Sequence, residues 1–138
     1  MHLRMPQLEW RHVPVMSKDS LDMTHEDRLV ILAAVREALK DDTAVLVVHG
    51  TDTLAQTGEL LAAQLGELHC PVVLTGAMRP YEFRDTDAFQ NMTEALLACR
   101  IVEPGVYVAM HNVVLRFPGV FKDRKRMTFS RMPNNPPG

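Results

Sequence analysis

From Thr24 onward the chain alternates between amphipathic stretches and short runs that are apolar throughout. Thr24 and Asp27 have the form of a capping box, and Leu29, Leu32, Val35 and Leu39 follow at intervals of three or four residues. This spacing predicts a helix with one apolar stripe, ending near Lys40. Asp41 and Asp42 break away as a turn. The run AVLVV at Ala44 to Val48 is continuous rather than alternating, which predicts a central strand covered on both faces. Thr53 and Gln56 repeat the capping pattern ahead of a second helix lined by Leu54, Leu61, Leu65 and Leu68, and Cys70 and Pro71 end it before the strand VVLTG. A long polar loop runs from Gly76 to Asp87. Asp87 and Gln90 then suggest a third capping box, opening a helix that faces inward through Met92, Ala95, Leu96 and Cys99. Pro104 and Gly105 close it, and Val106 to Met110 is the next strand. Helix and strand in strict alternation predict a parallel sheet with right-handed crossovers. Upstream, Trp10 to Met16 reads as a short strand or a packed arm. Downstream, HNVVLRFPGVFKDRKRMTF reads as a loop with at most one short strand, and MPNNPPG as a fraying end. The expected organisation is one α/β domain over residues 1–130 and a flexible tail over 131–138.

Composition narrows the classes. A chain of 138 residues is the size of one domain, and 46% hydrophobic with 23% charged residues describes a globular one. A net charge of -2 argues against a nucleic-acid partner. No apolar run reaches the roughly 18 residues of a membrane span, and Arg4, Glu9 and Arg11 interrupt any secretion leader. A cytoplasmic protein without a membrane partner is therefore expected. Cys70 and Cys99 lack CxxC spacing and read as buried free thiols. His49, His69 and His111 show no metal-ligand spacing, and the scattered glycines form no nucleotide-binding loop, so no metal and no cofactor is expected.

In a parallel sheet ligands bind beyond the carboxyl ends of the strands, where HGTDT, TGAMRP and HNVVLRFPGVFK all fall. Gly50 permits a close backbone approach, while Thr51, Asp52 and Thr53 open a helix whose free N–H groups attract a carboxylate. Two roles fit Thr51 and Asp52 on local pattern alone. They can simply start the helix, or they can carry chemistry. A threonine hydroxyl reacts only when a neighbour takes its proton, and Lys122 is the candidate amine. Within FKDRKR, however, Lys122 equally reads as part of a solvated basic patch with Arg124, Lys125 and Arg126. Thr75 and Ala77 flank Gly76 at a strand end and can line the crevice or shape the loop. Arg79 reads as a structural donor. Ser20 and Asp22 can form a turn before the first helix or reach the crevice.

HGTDT followed by VVLTGAMRP resembles the bacterial-type L-asparaginase and glutaminase family, over roughly Val13 to Lys122. The resemblance implies a three-layer, doubly wound parallel sheet of flavodoxin-like type. It places Thr51, Asp52 and Lys122 at a Thr-Asp-Lys catalytic set, and Ser20, Gly50, Thr51, Asp52 and Ala77 at the substrate. Ser20 matches the serine that holds the amino acid carboxylate, and Leu21 stands where many members have a polar residue. The implied reaction is hydrolysis of the side-chain amide of L-asparagine to L-aspartate and ammonia, with an amino acid amide as small-molecule partner and a homodimer or higher homo-oligomer as assembly. The family opens with a strand ending in a Gly-Gly-Thr turn whose threonine serves as a nucleophile, and closes with a smaller second domain. Neither has a counterpart in this sequence. The expected sheet is thus N-terminally incomplete, and the alternative function is a catalytically weak or inactive aspartate- or asparagine-binding module, a truncated family member.

Overall fold

The computed structural model describes residues 9–16, 18–41, 43–77 and 86–133. A 3-10 turn at Ser20–Asp22 precedes α1 (His25–Ala38), followed by β1 (Val45–Val48), α2 (Leu54–Gln64), β2 (Pro71–Thr75), α3 (Ala88–Ile101), β3 (Gly105–Met110), β4 (Val113–Arg116), β5 (Val120–Asp123) and β6 (Thr128–Arg131). The strands β1, β2 and β3 lie side by side and parallel, with β4 added antiparallel to β3. The sheet is therefore mostly parallel, as the doubly wound reading expects, with one antiparallel strand added at β4. β5 and β6 form a separate antiparallel hairpin.

Alternation along the strands sorts side chains into two cores. Val72, Leu74, Val106, Val108 and Met110 meet α1 and α2 on one face. Val73, Tyr107 and Ala109 meet Ala95 and Ala98 of α3 on the other. The result is an open, three-layer α/β sandwich of flavodoxin-like type.

α1 has the expected capping box: the Asp27 amide donates to Thr24 Oγ1 at 3.2 Å and the Thr24 amide to Asp27 Oδ2 at 2.9 Å. Its inward stripe differs in one place. Arg28, Ile31, Leu32, Val35 and Leu39 are buried, whereas Leu29 is 43% exposed. One residue is about 100° of helix rotation, enough to swing Leu29 out of a stripe that begins at Arg28.

β1 corrects a second expectation. Val45 and Val47 pack into one core and Leu46 against the other, so both faces are covered, but among the described residues β1 bonds only to β2. Among the described residues it is an edge, with Val48 60% exposed, and the fully buried strands are β2 and β3. A continuous apolar run reports covered faces; it does not distinguish a central strand from an edge.

The segment after β3 holds three strands instead of at most one. His111 (φ 53°) and Asn112 (φ 63°) both sit in the left-handed region, as a two-residue hairpin turn requires, and so return the chain as β4. Trp10 to Met16 forms no strand, and Trp10 and Val13 are exposed. Arg131 ends β6, and the Met132 amide donates to the Gly119 carbonyl at 2.8 Å. Most of the 76–87 loop, with Arg79, and residues 134–138 lie outside the described residues. Among the described residues no helix is long and apolar enough to cross a membrane.

Candidate active site

At the carboxyl end of β1 the chain enters α2 through His49 to Thr53, and Lys122 reaches this turn from β5. Lys122 Nζ donates to Thr51 Oγ1 at 2.9 Å and to Asp52 Oδ1 at 2.7 Å. Arg124 approaches the same oxygen at 3.3 Å. The Lys122 hydrogen bond, more than any other influence, holds the Asp52 carboxyl below its ordinary value and keeps it ionised. The basic run thus divides: the Lys122 side chain is 14% exposed and engaged at the turn, while that of Arg124 is 68% exposed, and Lys125 and Arg126 also face water.

Ser20 is buried and lies against the same turn. The Thr53 amide donates to Ser20 Oγ at 3.2 Å, and Thr53 Oγ1 donates to the Ser20 carbonyl at 2.8 Å. Thr53 stands at the cap position of α2 yet makes no side-chain cap, so the expected capping box is absent. The cap comes from Ser20, far upstream in sequence. A Cβ on Gly50 would lie 2.9 Å from Ser20 Cβ, which is why the turn needs glycine at this point. Asp22 is exposed.

Gly76 closes the opposite wall. A Cβ there would fall 2.2 Å from the His49 carbonyl oxygen, with Thr51 Cγ2 at 3.3 Å, so the end of β2 presses directly on the Thr51 turn. Ala77 follows, half-buried, and a cavity of about 240 Å³ opens between Gly50, Gly76 and Ala77. Thr75 is buried and donates to the Ala109 carbonyl at 2.7 Å, a sheet-locking contact.

Two supporting residues escaped the sequence reading. Asn91 is fully buried on α3; its Nδ2 donates to the Gly76 carbonyl and to Asp87 Oδ2, both at 2.9 Å, and its Oδ1 accepts from the His111 amide at 3.1 Å. Acceptors on one side and a donor on the other fix the orientation of the amide. Its only signal in the sequence is a polar residue beside Met92 on the inward stripe. Asp87 is no side-chain cap, another correction, because its carboxylate is taken up by Asn91 and by His111 Nε2 at 2.6 Å.

His49 is the second. It is buried, with Nδ1 2.6 Å from the Gly50 carbonyl and Nε2 2.8 Å from Thr57 Oγ1. A carbonyl can only accept, so Nδ1 carries the proton and Nε2 accepts from Thr57. Burial, the main influence, lowers the ring's proton affinity from its ordinary value. The neutral ring then contributes stability that is complete above the unfolded value of about 6.5 and is lost as pH falls below it through the folded value. Urea unfolding between about pH 7.5 and about pH 5 should show a steeper loss for wild type than for His49→Asn; equal slopes would remove His49 as the cause.

Among the described residues no group of His, Cys, Asp or Glu is placed to hold a metal ion. Cys70 is buried, and burial pushes the Cys99 thiol up to about 11.

The family described as "Asparaginase, N-terminal" matches residues 3–134. The L-asparaginase of Thermococcus kodakarensis is 37% identical over 101 residues, covering 73% of this chain and 31% of that protein. The 60 kDa lysophospholipase of Mus musculus is 35% identical over 121 residues, 86% of this chain and 22% of the relative. The aligned segments thus make up less than a third of either protein's length. The solved structure of the thermostable L-asparaginase from Thermococcus kodakarensis superposes with a TM-score of 0.82 at 34% identity, covering 88% of this chain and 38% of that one. By sequence and by fold, this chain belongs to the asparaginase family and matches its N-terminal domain.

Proposed function

We propose that this chain binds L-asparagine or L-aspartate at the Gly50–Thr53 turn and, through Thr51, Asp52 and Lys122, hydrolyses the side-chain amide slowly. The observation that carries the reading is the Lys122 ammonium bridging Thr51 Oγ1 and Asp52 Oδ1. Ser20 Oγ accepts from Thr53, which leaves its own proton for a substrate carboxylate beside the amides near Gly50 and Thr51. Among the described residues, both cations on Asp52 use Oδ1, and Oδ2 remains for the substrate amine. Thr51, or a water held by it, attacks the amide carbon as its proton passes to the deprotonated Lys122 amine. Donors at Ala77 and the turn would meet the developing oxyanion, whose collapse breaks the C–N bond while Lys122 returns the proton to the departing ammonia, and water then cleaves any Thr51 ester.

Turnover requires a proton to move along one hydrogen bond. Lys122 donates to Thr51, so it must lose a proton before it can accept one from the hydroxyl. The same donor arrangement suits a second reading, an amino-acid-binding module without turnover. Ammonia release from L-asparagine at high protein concentration, run beside calorimetric titration with L-aspartate, separates them. Release above a protein-free blank is the expected result; saturable binding without release leaves the module alone, and absence of both overturns the two readings together.

A further inference from the structure

We infer that Glu59 is a positioning residue that sets the reach of Lys122 by clamping the start of β5 to α2; the inference rests on the proposed role of Lys122. Glu59 lies on α2, the helix whose N-terminal turn carries Thr51 and Asp52. Its Oε1 accepts from the Gly119 amide at 2.7 Å and from the Val120 amide at 3.3 Å. Val120 is the first residue of β5, and Lys122, two positions on, projects to the same side of the strand. One residue before Glu59, a Cβ on Gly58 would fall 2.1 Å from Phe117 Cζ, so the Phe117 ring rests directly on the helix backbone.

The clamp matters because, among the described residues, β5 packs on the main core through Val120 but shares no ladder hydrogen bonds with the main sheet. Among the described residues it pairs only with β6, and a lysine's flexible four-carbon stem cannot define where its ammonium sits. The distance from Lys122 to Thr51 is then set by how β5 stands against α2. Phe117 supplies the packing half of that relation, and Glu59 supplies the directional half. Without Glu59, two backbone donors at the root of β5 lose their acceptor, and the strand can shift relative to the helix. Glutamine in its place keeps a carbonyl oxygen for the same amides, whereas aspartate is one methylene too short to reach both.

The test reads Lys122 itself, without substrate. Trace acetylation with acetic anhydride, quantified lysine by lysine by mass spectrometry, compares Glu59→Ala, Glu59→Gln and Glu59→Asp with wild type. Lys122 should modify about tenfold faster in Glu59→Ala, with Lys40 and Lys125 unchanged as references, and within about twofold of wild type in Glu59→Gln. Should Glu59→Ala fail to fold, Glu59→Asp gives the same comparison with the charge retained. Equal Lys122 rates in wild type and in the folded truncated variant would overturn the inference, as would equal acceleration by glutamine. The readout is independent of turnover. Lys122 freed by Glu59→Ala in a protein that neither binds nor hydrolyses would refute the proposed function and leave the clamp standing.

Discussion

Lys122→Met is expected to reduce ammonia release from L-asparagine by about 10²–10⁴-fold, the range associated with losing a positioned acid–base group. The loss arises at one point in space, since Lys122 Nζ alone bridges the Thr51 hydroxyl and the Asp52 carboxylate. Methionine keeps most of the stem volume and removes the donors. Among the described residues Asp52 then retains only the exposed Arg124, so its carboxyl should move up toward the ordinary carboxylate value. In wild type the depressed carboxyl stabilises the fold above the unfolded value of about 3.9, a contribution lost as pH falls through the folded value. The variant should therefore lose part of its acid sensitivity and about 1–3 kcal/mol of stability at neutral pH. Carbon-13 titration of Asp52 checks the electrostatic part whether or not the protein turns over. An unmoved titration, or a release rate equal to wild type, would sink the prediction.

Asn91→Ala should be the most damaging substitution away from that bridge. Asn91 is 0% exposed and joins the Gly76 carbonyl, Asp87 and the His111 amide, fastening the ends of β2 and β3 to α3. Truncation leaves the Gly76 carbonyl and the His111 amide without this partner. At roughly 1–3 kcal/mol for each abandoned group, the expected loss is about 2–6 kcal/mol. Asn91→Asp should fare no better: it keeps an acceptor for His111 but sets a carboxylate against Asp87 and a carbonyl. Urea unfolding provides the measure, and a loss below about 1 kcal/mol for both variants would falsify the account. Gly76 presses on the His49 carbonyl and Thr51, so a partly destabilised Asn91 variant should also weaken amino acid binding.

Much of this arrangement is legible in the order of residues, and the exceptions share a cause. Thr24 and Asp27 can be read because both halves of their capping box are local. Thr53 and Asp87 have the same local form, yet their side chains serve distant partners: Thr53 bonds Ser20, 33 positions away, and Asp87 bonds His111, 24 positions away. Short-range pattern cannot rank a cap against a tertiary hydrogen bond that also satisfies the side chain. The three parallel strands announce themselves as apolar runs, but the edge position of β1 is a property of neighbours, not of its own residues. β4 is hidden by a His-Asn turn in place of the glycine-containing pairs that usually mark tight hairpins. Thr51, Asp52 and Lys122 are recognisable as types suited to one chemistry; the 2.9 Å and 2.7 Å contacts that join them come from the β5–β6 hairpin, which the sequence pattern does not reveal.

The Ser20 cap carries a thermodynamic consequence. Because α2 receives its N-terminal acceptor from a segment before α1, the order of that turn and the first turn of α2 form one cooperative unit. A ligand carboxylate that tightens Ser20 would also tighten the helix start bearing Thr51, and fraying at the helix start would loosen Ser20 in equal measure, since such coupling is reciprocal. Binding energy gathered at one end of an amino acid would thereby reach the group facing its other end.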